Sequence, residues 1–109
     1  MSTAFLKAYD FTGQSIVVTG GGGVLCGEMA RALFECGANI TILDYNLQAA
    51  QRMVDSFERK PGCGQALPAQ ANVLLPEAVQ AAMDLTIAEF GKVDGLINGA
   101  GGNKPDATT

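Results

Sequence analysis

Four short runs rich in β-branched or small apolar residues alternate with three segments whose apolar residues repeat at helical spacing, and short connections join them. "QSIVVTG" ends in glycine. The next segment repeats apolar residues at Leu25, Met29 and Leu33, with Phe34 beside them, until "CGA" stops it at Gly37. "NITILD" is a second β-rich run. Asn46 then suits a helix cap, and Leu47, Ala50, Val54 and Phe57 share the face of a helix that must end before Pro61. "QALPAQANV" is a weaker strand, confined to a sheet edge because Pro68 has no N–H to give to a ladder. Pro76 fits the first turn of a third helix, with Val79, Ala82, Met83, Ile87 and Phe90 as its buried stripe up to Gly91. "KVDGLIN" closes the series. Successive parallel strands need a long return path that a helix supplies, so the alternation predicts an α/β chain with a parallel sheet.

The stretch "VTGGGGVLCGEMA" falls where the first strand meets the first helix. Open α/β sheets bind ligands at that edge. A helix starting near Val24 offers unpaired N–H groups and a positive dipole end, and Gly20, Gly21, Gly22 and Gly23 let an anion approach without meeting a Cβ. A tight turn that binds nothing is the plainer alternative, although four glycines exceed what a turn requires. The phosphate loop of nucleoside triphosphatases needs Lys followed by Ser or Thr; "GVLCGE" has neither. The dinucleotide pattern GxGxxG fits at Gly21 and Gly23 but meets Cys26 at its third position.

Asp44 ends the second run, 24 positions beyond Gly20, where a carboxylate accepts hydrogen bonds from an adenosine ribose. The alternative is a solvated strand-end Asp. A further phosphate on that ribose would be repelled, and no Arg or Lys lies between Arg31 and Arg52, so NAD is expected over NADP. A net charge of -4 with seven scattered basic residues argues against a nucleic-acid surface. Cys26, Cys36 and Cys63 lack CxxC spacing, and with no His in the chain no zinc shell is expected. Reduced thiols fit a cytoplasmic protein, and no run has the length to span a bilayer.

"VTGGGGVLCGEMARALFECGA", "ITILD" and "LINGAGG", in that order and spacing, resemble the amino-terminal half of a short-chain dehydrogenase/reductase. That family usually writes TGxxxGxG and NNAG. Thr19 and Gly20 match, while Val24 and Cys26 stand at the other two glycine positions; Asn98, Ala100 and Gly101 match, while Gly99 replaces the second Asn. Val24 brings a β-branched side chain to a point of close phosphate approach, which shifts that task to the preceding glycines. Cys26 reads as a packing residue. "TGGGGVL" and "INGAGGN" resemble the subgroup of D-mannonate or fructuronate oxidoreductases, which interconvert a sugar-acid ketone and alcohol with NAD.

The resemblance implies a Rossmann-like, doubly wound parallel sheet in three layers, and a cofactor site built from Gly20, Gly22, Gly23, Val24 and Leu25 around the pyrophosphate and Asp44 on the ribose. It sets Asn72 and Val73 beside adenine, and Asn98, Gly99, Ala100 and Gly101 toward the second ribose and nicotinamide. The Ser, Tyr and Lys that such enzymes use for proton transfer have no counterparts here, since Tyr9 precedes the first strand and Tyr45 follows Asp44. Residues 1–109 are therefore expected to be the cofactor-binding portion of a single domain, inactive alone, with strand four left at an open edge. The intact enzyme would be a homo-oligomer acting on a small molecule. Two other functions stay open: a stand-alone nucleotide-binding or regulatory module, and a methyltransferase, which also uses a glycine loop and a strand-two acid.

Overall fold

The computed structural model describes residues 10–20, 24–72 and 74–99. In chain order these form β1 (Ser15–Thr19), α1 (Val24–Glu35), β2 (Asn39–Asp44), α2 (Leu47–Asp55), β3 (Ala66–Gln70), α3 (Pro76–Phe90) and β4 (Gly95–Asn98). All strands run parallel in the order β3-β2-β1-β4. Pro68 stands opposite Ile42 on the outer strand β3, where its missing N–H costs no bond to a further strand.

Alternation along the strands divides the core between two faces. Ile16, Val18, Ile40 and Ile42 pack with Ala30, Leu33 and Phe34 of α1, Ala50 of α2, and Phe57. Val17, Leu43 and Ala69 point the other way and pack with Ala71 and with Ala82 of α3. Helices on both faces make three layers, as the alternating pattern requires. Phe34 is almost fully buried and meets Phe57 with ring centroids 5.0 Å apart, a contact that ties α1 to the end of α2. Burying a side chain of this size contributes about 1.5–3 kcal/mol.

The helix ends follow local chemistry. Asn46 Oδ1 accepts from the N–H groups of Gln48 and Ala49 at 2.9 and 3.2 Å, capping α2, which stops at Asp55 well before Pro61. Pro76 opens α3, and the Gly91 N–H closes it on the Ile87 carbonyl at 2.7 Å. Gly37 returns α1 into β2 with φ of 102°, a conformation in which an L side chain is strained.

Three positions of the apolar helical patterns, Ile87 of the expected buried stripe among them, are exposed. Leu25 is 76% exposed because the sheet-facing line of α1 runs through Cys26, Ala30, Leu33 and Phe34, one step out of phase with the line expected from Leu25 and Met29. Leu47 is 43% exposed at the first position of α2, ahead of the residues that lie over the sheet. Ile87 is 47% exposed, and its place is taken by Thr86, which is fully buried. Thr86 bonds to Thr41 of β2 across the interface, Oγ1 to Oγ1 at 2.9 Å. A polar residue thus holds the position that an apolar pattern assigns to its neighbour.

Candidate functional site

Parallel strands put every carboxyl end on one edge of the sheet, and the expected ligand residues that the structure describes all lie along it. Gly20 follows β1, Val24 and Leu25 open α1, Asp44 closes β2, Asn72 follows β3, and Asn98 and Gly99 end and follow β4. Gly22, Gly23, Val73, Ala100 and Gly101 lie outside the described residues, as does the Val24 side chain.

The edge is fixed mainly by backbone. Gly20 has φ of 70° and donates its N–H to the Leu43 carbonyl at 2.7 Å, extending the β1–β2 ladder while turning the chain toward α1. Only glycine takes that turn without strain. The first turn of α1 carries no acidic side chain, so no carboxylate opposes an anion at the positive end of the helix dipole.

Asp44 Oδ1 accepts from the Asn46 N–H at 2.9 Å, which steers the chain out of β2 into α2. The Ala71 N–H bonds the Asp44 carbonyl at 3.1 Å and brings Asn72 beside it. Asn72 uses its own Oδ1 to accept from the Leu74 N–H at 3.0 Å, and so shapes the turn into α3. Arg31 is engaged with other partners, Glu28 among them. Its guanidinium donates to Ser56 Oγ at 2.9 Å and lies over the Phe57 ring, 5.5 Å from the centroid.

Thr19, which was not among the expected ligand residues, organises the opposite wall. Its Oγ1 donates to Asn98 Oδ1 at 2.8 Å and accepts from the Gly99 N–H at 3.1 Å. The Gly99 N–H also reaches the Thr19 carbonyl at 3.1 Å. With Oδ1 engaged as an acceptor, the donors that the exposed Asn98 side chain carries are its amide N–H groups. The sequence signal was a hydroxyl at the end of β1 and an amide at the end of β4, which become neighbours only once the strand order is known.

A family model described as short chain dehydrogenase matches residues 14–109. The chain belongs to the short-chain dehydrogenase family. Among the relatives of this chain, an uncharacterized oxidoreductase of Haemophilus influenzae is 39% identical over 101 residues, covering 93% of this chain and 35% of the relative. The uncharacterized oxidoreductase UxuB of Bacillus subtilis is 41% identical over 100 residues, covering 92% and 35%. A provisionally assigned D-mannonate oxidoreductase from Haemophilus influenzae, solved with bound NAD, superposes with a TM-score of 0.82 at 36% identity, covering 93% of this chain and 35% of that one. The short-chain dehydrogenase chain thus spans about a third of the length of these relatives. Among the described residues no helix is long and apolar enough to cross a membrane.

Proposed function

We propose that residues 1–109 are the NAD-binding portion of a single short-chain dehydrogenase domain, and that the intact enzyme transfers hydride between nicotinamide and a sugar-acid alcohol or ketone of the D-mannonate/fructuronate type. The carrying observation is Asp44 at the end of β2, between the glycine turn that leads to α1 and the β3 end that presents Asn72. NAD would be held by the first N–H groups of α1 at its pyrophosphate and by Asp44 at its adenosine ribose. Asn98 would donate toward the second ribose, and the nicotinamide would supply the hydride-accepting carbon. The proton donor belongs to other residues: Tyr45, beside Asp44, is 72% exposed on the adenosine side. The sugar-acid substrate is supported by the "TGGGGVL" and "INGAGGN" loops and by the D-mannonate oxidoreductase among the structural neighbours.

Fluorescence titration with NADH and NADPH tests the reading, with S-adenosylmethionine as the methyltransferase control. NADH is expected to bind more tightly than NADPH. A hydrogen bond to a charged group contributes about 1.5–3 kcal/mol, so Asp44→Ala should weaken NADH about 10- to 150-fold and narrow the gap between the two nucleotides. Preference for NADPH, saturation by S-adenosylmethionine alone, or an unchanged NADH affinity in Asp44→Ala refutes it.

A further inference from the structure

Of the three departures from the usual loop spelling, two, Cys26 and Gly99, are in contact. We propose that they are a matched pair, in which the thiol on α1 fills the space that a side chain at position 99 would take, and that together they set the spacing between the α1 wall and the β4 wall of the nucleotide cleft. The functional half of this inference rests on the dinucleotide reading above; the steric half does not.

Gly99 cannot withdraw from α1. Its N–H is held by both the carbonyl and the hydroxyl of Thr19, each at 3.1 Å, so its Cα is pinned to the end of β1. A Cβ built there would overlap Cys26 Sγ, with the Thr19 carbonyl oxygen at 3.2 Å on another side and Cys26 Cβ at 3.5 Å. Sγ is the obstacle. The Cβ–Cβ separation alone is an ordinary contact, and Gly99 is not among the glycines with positive φ, so alanine there meets no backbone strain.

Cys26 in turn is anchored. It is half-buried as the third residue of α1 and packs against the cluster of Ile16, Val18, Ala30 and Phe34. A thiol in such a place behaves as a small apolar group. Adding atoms at position 99 must therefore push apart two elements that are each fixed, α1 by its core face and the β4 end by Thr19. Those elements carry the helix N–H groups on one side and Asn98 on the other. Cys26 and Gly99 are accordingly positioning residues: they touch each other and act on the nucleotide through the distance between the groups that hold it.

The test is a double-mutant cycle of Gly99→Ala and Cys26→Ala, read by NADH affinity of the folded protein and, separately, by the urea midpoint. Gly99→Ala should weaken NADH by about tenfold or more and lower the midpoint, since overpacking a fixed contact is costly. Cys26→Ala removes Sγ alone, and the double variant should recover to within about threefold of Cys26→Ala in NADH affinity. A role confined to stability would move the midpoint and leave the affinity of the folded fraction unchanged, which overturns the cleft-spacing claim. If Gly99→Ala does not fold while the double variant does, the pairing stands; if neither folds, or if Cys26→Ala gives no rescue, it fails. If the wild-type protein does not bind NADH, the dinucleotide reading falls and the urea cycle still decides the steric pair.

Discussion

The buried hydroxyl pair beneath α3 has an internal direction that makes its energetics unequal. Thr86 Oγ1 donates its single proton to the Ala82 carbonyl at 2.9 Å. Thr41 must therefore be the donor in the 2.9 Å bond between the two hydroxyls, and both residues are completely buried. Thr86→Val keeps the shape but leaves the Thr41 proton with no acceptor in that bond, and stranding a buried donor costs about 1–3 kcal/mol. Thr41→Val leaves Thr86 still donating to Ala82, so only the net value of one hydrogen bond is lost, about 0.5–1.5 kcal/mol. The double Val variant removes both partners and should cost less than Thr86→Val alone. Urea unfolding reads this directly: Thr86→Val should lower the midpoint by on the order of 1 M with an unchanged m-value, and the second substitution should give part of that back. Equal costs for the two single variants, or a double variant that sums them, would refute the assigned direction of the hydrogen bonds.

The two remaining predictions concern the rim of the fold rather than the cleft. Asp94 accepts the Ser15 N–H at 2.8 Å, and chiefly this bond, aided by Lys92 against some desolvation, holds its carboxyl below the ordinary value of 3.8. A depressed folded pKa gives stability that is complete above the unfolded value of about 3.9 and is lost as pH falls through the folded value. Urea midpoints should therefore separate wild type from Asp94→Asn at neutral pH and converge as the pH falls below the ordinary carboxylate range; a difference that stays constant with pH would count against the assignment. At Gly37, a Cβ would meet Thr12 Oγ1 at 2.6 Å in addition to the left-handed backbone. Gly37→Ala should lower the melting temperature by at least about 4 °C, and Gly37→Asn should not recover it, because asparagine relieves the backbone strain but not the clash.

The order and type of every element could be read from the chain because each boundary is local chemistry: Asn46 caps, Pro76 opens, Gly91 closes, and Pro68 excludes the sheet interior. What failed was phase. Leu25, Leu47 and Ile87 are apolar and fall near a helical face, but burial is decided by where the sheet lies under the helix, and a composition pattern does not hold that information. Thr86 was passed over because a hydroxyl looks solvent-facing until its partner on β2 is known. At the cleft, Asp44, Asn72, Asn98 and Gly99 do meet along one edge, as strand-end positions in a parallel sheet must. The dependence of Gly99 on Cys26 was hidden for the opposite reason. Each residue reads as a separate departure from a motif, and only the adjacency of β1 and β4 makes one explain the other.

The bond from Thr19 to Asn98 joins residues 79 positions apart. The β1 and β4 ends of the sheet edge are therefore joined by a contact that closes a loop spanning most of the described chain, at a correspondingly large entropic cost. A dinucleotide held across that seam, as proposed above, would be linked to global rather than local opening, so its occupancy should protect amides in the deepest strands from hydrogen exchange as strongly as those it touches.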